Sequence, residues 1–174
     1  MILEIEMLGA PVLRQKAEPV EEIDDEVRAL VRNMFDTMYH AEGVGLAAPQ
    51  VGISKRITVL DVPADADEDH RHVIALINPR VTKVSKDTEK GVEGCLSIPG
   101  IEESVVRSVS VVVEGLSPDG EEVVIEAEGL LARALQHELD HLDGVLFLDH
   151  LSSLKRDLAL RRWRKSRAKA EAGR

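Results

Sequence analysis

Leu130-Leu131-Ala132-Arg133-Ala134-Leu135-Gln136-His137-Glu138-Leu139-Asp140-His141-Leu142 decides how the rest of the chain is read. Its leucines and alanines spread around most of a helical circumference, the pattern of a buried helix. Asp143-Gly144 ends it. His137 and His141 stand at i and i+4 on one face, so their imidazoles can bind one metal ion. Glu138 sits beside the first of them, where a carboxylate can take a proton from a water at that ion. Composition alone would supply roughly 0.02 matches to His-Glu-x-x-His, so coincidence is a poor account of the motif. The competing reading is a surface helix with scattered histidines and acids. It conflicts with the apolar residues all round: polar groups on a buried helix need partners, and a metal is one.

Two histidines leave a catalytic site incomplete, since three protein ligands plus an open position are usual. Downstream, Asp149, His150 and Asp157 are candidates for the third; His150 follows a Gly-containing turn and nothing in its setting marks it as a ligand. Upstream, Cys95 lies in Glu93-Gly94-Cys95-Leu96-Ser97-Ile98-Pro99-Gly100, which shows neither strand nor helix period and reads as a loop. Its glycines permit close backbone approach to a ligand. Cys95 with two histidines would leave a position for water. The bland alternative is that a lone cysteine is a small buried hydrophobe. A third stretch, Gly43-Val44-Gly45-Leu46-Ala47-Ala48-Pro49-Gln50, follows a helix and so lacks the strand-first setting of a dinucleotide fingerprint. Its small residues would let a bound chain come close, and the Gln50 amide can donate to an oxyanion.

Working outward, Asp24 caps a helix to about His40, with Val27, Leu30, Val31, Met34, Phe35 and Met38 on one face. Residues 57–62 read as a strand and 63–71 as an acidic surface loop. Residues 73–77 and 81–84 read as strand pieces broken at Asn78-Pro79. Residues 105–113 read as one β-branched strand, and 122–127 pair back after the turn Ser117-Pro118-Asp119-Gly120. A last helix spans about 152–170, with Leu151, Leu154 and Leu158 expected to pack it on the body. Regular βαβ alternation is missing, so the expected class is α+β. Antiparallel strands would pack around the central buried helix, flanked by an N-terminal and a C-terminal helix. No repeat or linker divides residues 1–174, so a single catalytic domain is expected.

Charged residues make up 31% and hydrophobic ones 44% of the 174 residues, which fits a globular chain and not a disordered one. Aromatics at 2% argue against binding single-stranded nucleic acid by ring stacking, and no DNA partner is expected. No apolar run approaches a bilayer span. The opening residues 1–7 are acidic, so a signal peptide is not read there and a cytoplasmic location is expected. One cysteine excludes an internal disulfide. The total charge is −10, yet the last 24 residues hold nine Lys and Arg against two acids. That basic tail reads first as a solvated helix end favoured by the dipole, and secondly as a contact for a polyanion such as ribosomal RNA.

Together the three motif segments resemble the peptide deformylase family. That family is marked by Gly-x-Gly-x-Ala-Ala-x-Gln, Glu-Gly-Cys-Leu-Ser and Gln-His-Glu-x-Asp-His in this order, here Gly43 to Gln50, Glu93 to Ser97 and Gln136 to His141. Every fixed position matches, and Gly9-Ala10-Pro11-Val12-Leu13-Arg14 resembles the family's start. The likeness runs from about residue 8 to 148 and leaves out the tail. It implies Cys95, His137 and His141 as metal ligands, Glu138 as acid and base, and Gln50 with the Leu96 N–H as oxyanion donors. It implies Val44 and Gly45 as partners of the substrate backbone. Leu130, Ala134 and Val44 are expected to line the methionine pocket, with Arg133 at its rim; for Leu130 an ordinary core position is an equal alternative. Arg107 matches a family arginine and is expected to brace Glu93. Many members carry an arginine near Glu102, where this chain departs, so no role is carried over there.

The resemblance implies one iron(II) per subunit, with zinc, nickel or cobalt as other occupants of such a donor set. It implies formylmethionyl nascent peptides as substrate, while the lack of a long apolar run leads to no membrane partner being expected. Rival readings are a His-Glu-x-x-His zinc peptidase cutting internal bonds, a hydrolase with Cys95 as nucleophile, and a non-catalytic metal module that binds through its tail. Each leaves at least one of the three segments unexplained.

Overall fold

The computed structural model describes residues 1–64 and 67–174, with the side chains of 67 and 68 left out. Helices α1 (Asp25–His40), α2 (Gly129–Leu142) and α3 (Ser153–Ala172) accompany seven strands. These are β1 (Gly45–Ala47), β2 (Ile57–Ala64), β3 (Asp67–Val84), β4 (Thr88–Cys95), β5 (Ile98–Ser108), β6 (Ser110–Leu116) and β7 (Glu122–Glu128). Five form one sheet in the order β1-β2-β3-β6-β7, and β4 pairs with β5 in a second. Every strand pairing is antiparallel. The expected α+β class with a central buried helix therefore holds.

The five-stranded sheet is covered on both faces, so β2 is buried without interruption from Ile57 to Val62, Thr58 and Asp61 included. Ile57 and Val59 face α1, joining Val27, Val31, Met34 and Met38. Leu60 and Val62 face the other way and meet Leu131, Ala132, Leu135 and Leu139 of α2. This is the two-residue alternation of a strand serving two helices. The Asp24 side chain accepts from the Val27 N–H and starts α1 as expected. The Met34 and Met38 side chains are fully buried filler. Among the described residues no helix is long and apolar enough to cross a membrane.

Four expectations are corrected. Of the expected loop 63–71, residues 63–64 and 67–71 are strand, with Pro63 opposite Arg71 and Ala64 opposite Asp67; 65 and 66 lie outside the described residues. Charge there signals an exposed ribbon and not an absence of strand. The run 105–113 is two strands of different sheets, β5 and β6, divided at Val109, whose N–H donates to Asp87 O. β-branched composition cannot mark where a chain changes sheets. Residues 93–100 are not a loop but the closed end of the β4–β5 hairpin: Cys95 pairs opposite Ile98, and Leu96 and Ser97 alone form the turn. Asn78-Pro79 does not break the strand; it makes an irregularity inside β3. There Asn78 adopts φ 52°, and its side chain bonds the Val20 N–H at 2.8 Å and C=O at 2.9 Å.

Helix α3 starts close to the expected position, with Ser152 as its cap, but packs differently. Leu151 is buried, whereas Leu154 is 71% and Leu158 47% exposed. Ala159 and Trp163 face the body instead, against Ile98, Ile101, Val105 and Phe147.

Candidate active site

Helix α2 crosses the sheet with His137 and His141 turned to one side, and the end of β4 brings Cys95 to meet them. The His137 and His141 Nε2 atoms are 3.2 Å apart, and Cys95 Sγ is 3.4 Å from His141 Nε2. All three donor atoms lie within 4.8 Å of one another. A tetrahedral ion with bonds of ~2.3 Å to sulfur and ~2.0–2.1 Å to nitrogen separates its ligands by about 3.4–3.6 Å. The spacing therefore fits a cation at the centre. The other third-ligand candidates point elsewhere: His150 bonds Asp140 at 2.8 Å, Asp149 pairs with Arg14, and Asp157 is exposed.

The electrostatics suit the same use. Burial pushes the His141 imidazole well below its usual value, and the charge of His137 adds to this, leaving it neutral as a ligand must be. Burial also lowers His137, but hydrogen bonds to Cys95 and to Glu93 outweigh it and carry the ring up to about 10. The groups that attract a proton there would equally attract a metal cation. The Glu93 carboxylate holds His137 Nδ1 at 2.8 Å, which aims Nε2 at the cluster. Glu138 is buried, and that burial lifts its carboxyl to about 7 against the opposing charge of His137. Glu138 Oε2 has no hydrogen-bond partner among the described residues, so it has a bond to offer an incoming molecule.

A cavity of about 350 Å³ opens onto this cluster. Val44, Gly45, Gln50, Cys95, Leu96, Leu130, Ala134, His137 and Glu138 all line it. Strand β1 is the edge of its sheet, so Gly45 and its neighbour Val44 face the cavity with one backbone edge unused by the sheet. Leu130 is 42% exposed, which makes it a wall residue and not a core one. The Gln50 Oε1 accepts from the Ala47 N–H at 2.9 Å, and its Nε2 approaches Ser97 Oγ at 3.1 Å and Cys95 Sγ at 3.5 Å. The amide is thus held beside the Cys95 thiol. Glu102 lines the mouth, its side chain lying over Gly94.

The expected Arg107–Glu93 pair is present and bidentate, at 2.9 and 2.8 Å. Arg107 also reaches Asp140 at 2.6 Å and His150 at 3.2 Å. Arg133 is corrected: it is buried rather than at the rim, and it bonds Glu93 at 2.8 Å. Its signal was present in the sequence. Arg133 lies one turn before His137, so a cation stands on the inward face of an apolar helix and requires an anion.

A family model described as polypeptide deformylase matches residues 2–157. A peptide deformylase of Acidobacterium capsulatum is 51% identical over 172 residues, covering 98% of this chain and 99% of its own. One of Natranaerobius thermophilus is 53% identical over 147 residues, covering 84% of this chain and 90% of its own. The crystal structure of peptide deformylase from Ehrlichia chaffeensis superposes with a TM-score of 0.92 at 40% identity, covering 98% of this chain and 99% of that one. With the family model spanning most of its length and a relative 51% identical over 98% of it, the chain belongs to the polypeptide deformylase family.

Proposed function

We propose that residues 1–174 form one catalytic domain that removes the N-formyl group from the N-terminal methionine of newly synthesised proteins and releases formate. The observation that carries this is the convergence of the Cys95, His137 and His141 donor atoms with the Glu138 carboxylate at the end of one cavity. A divalent ion held by those three ligands would lower the pKa of a water and polarise the formyl oxygen. Iron(II), one per subunit, is the proposed ion in the cell, and zinc, nickel and cobalt suit the same donors.

The chain's own residues then act in sequence. A substrate lies along Val44 and Gly45 as an added strand, bonding the free edge of β1. Its methionine side chain enters between Leu130, Ala134 and Val44. Glu138 takes a proton from the attacking water as the new C–O bond forms at the formyl carbon. A group titrating near neutrality is suited both to accept that proton and to return it. Gln50 Nε2 and the Leu96 N–H donate to the oxyanion, each contact worth ~3 kcal/mol in the transition state. Glu138 passes its proton to the departing amine as the C–N bond breaks.

The proposed setting is the cytoplasm, at the ribosome where substrate emerges. Arg161, Arg164 and Lys165 project from α3 as an exposed basic surface, which supports a contact with ribosomal RNA. Reversing these three charges should weaken ribosome binding, most at low salt; unchanged binding would remove that element. The reaction itself is tested by formate release from formyl-Met-Ala-Ser with protein loaded anaerobically with iron(II). Release abolished by a chelator, and a Glu138→Gln protein that keeps metal but loses most turnover, are expected. No release from protein holding stoichiometric metal would overturn the reading.

A further inference from the structure

Buried Arg133 spends its hydrogen bonds on one element. Nη1 donates to Glu93 Oε2 at 2.8 Å, Val105 O at 2.8 Å and Gly91 O at 3.3 Å, and Nη2 donates to Glu89 O at 3.0 Å. All four acceptors belong to the β4–β5 hairpin that ends in Cys95, while Arg133 itself stands on α2, one turn before His137. Gly91 is shaped for it: a Cβ there would lie 2.7 Å from both Cζ and Nε of Arg133. Glu93 in turn is held by Arg107 and aims His137.

We propose that Arg133 is a positioning residue that clamps the Cys95 hairpin to the histidine helix and so sets the distance between the thiolate and the two imidazoles. The two ligand-bearing elements are a hairpin and a helix distant in sequence, and among the described residues β4 has no strand partner but β5. A planar cation with donors in a fixed fork can tie one side chain and three backbone carbonyls at once, which a lysine cannot. Losing it would leave these acceptors short of a donor and free the hairpin to move against α2. This inference rests on reading Cys95, His137 and His141 as metal ligands.

The test is cobalt(II) titration of the metal-free protein, following the thiolate-to-cobalt absorption and the ligand-field bands, with folding checked by circular dichroism. Arg133→Met should bind cobalt roughly 10–100-fold more weakly, with a shifted ligand-field spectrum, and Arg133→Lys should recover only part of the loss. Gly91→Ala pushes the guanidinium without touching a ligand, and should weaken cobalt in the same direction. Because both act through one contact, the Gly91→Ala, Arg133→Met protein should bind no worse than Arg133→Met alone. Should Arg133→Met not fold, the lysine and Gly91→Ala proteins carry the same comparison. Unchanged affinity and spectrum in the folded variants, or additive losses in the double variant, would overturn the clamp. Failure of the native protein to bind cobalt through sulfur would instead sink the metal reading beneath it.

Discussion

Glu138 leans so closely over Gly45 that a Cβ at the glycine would stand 2.6 Å from Oε1 and 3.0 Å from Cδ. Gly45 lies in a strand with ordinary backbone, so it is a glycine for reasons of space. Gly45→Ala should therefore displace the Glu138 carboxylate, the proposed acid and base. Turnover should fall about 100-fold, the lower range of what a positioned acid–base group supplies, while metal content stays stoichiometric. Gly43 makes a useful control. A Cβ there meets Leu96 Cδ1 at 2.6 Å, the far end of a flexible side chain, so Gly43→Ala should cost far less. Equal activities in the two variants would show that the Glu138 contact is not what Gly45 protects.

Removing the thiolate separates the readings of the donor cluster. Cys95→Ala leaves two imidazoles, and metal affinity should drop by more than the ~100-fold that outer contacts are worth. A peptidase-type site built on the histidine helix alone would keep its ion. Atomic absorption on the dialysed variant decides between them, and undiminished metal would remove Cys95 from the ligand set.

Acid stability should depend on Asp61, far from the metal cluster in function. Burial alone would raise its carboxyl, but hydrogen bonds from Tyr39 at 2.6 Å and from Arg71 hold it below the usual 3.8. The folded state thus binds this proton less tightly than the unfolded one. Asp61 contributes stability that is present above its unfolded value and lost as pH falls through the folded one. Asp61→Asn should melt at a lower temperature than the native protein at pH 7. The two melting curves should begin to converge as pH drops below about 4 and meet only once it passes the lower folded value, where both side chains are neutral. A constant gap from pH 7 to pH 3 would mean that the ion pair is not its source.

The site was more legible in the sequence than the sheet that carries it. His137 and His141 share a face because of helical periodicity, so two proposed ligands and the proposed base follow from local spacing. Cys95 needed a third segment 42 residues upstream, and no local pattern could choose it over His150 without the family likeness. Strand ends were read poorly where one apolar run serves two sheets, as at Val109, or where a strand carries charge, as at Arg71. Arg133 was placed by its neighbours and not by its own requirement for an anion, and its partner Glu93 was already assigned to Arg107. One carboxylate bonded to two guanidiniums and an imidazole is invisible to pairwise reading of a sequence.

The last helix shows the same lesson as an energy. Its leucine spacing suggested Leu154 and Leu158 as the packed face, yet both are exposed, and Trp163 is 6% exposed beneath them in the chain. Trp163 packs with Leu146, Phe147 and Ile101, and Arg167 lies 5.2 Å over its ring. Truncating a buried aromatic of this kind typically costs ~3–5 kcal/mol, through lost burial and the cavity left behind. An exposed leucine usually stays within about 0.5 kcal/mol of neutral. Urea unfolding of Trp163→Ala should therefore show a midpoint well below the native one, with Leu154→Ala close to native. The loss would act through β5, which carries Ile98 and Ile101 and pairs with the Cys95 strand. Metal release should accordingly begin at lower urea in the tryptophan variant. If the two variants unfold alike, α3 is not anchored by its tryptophan.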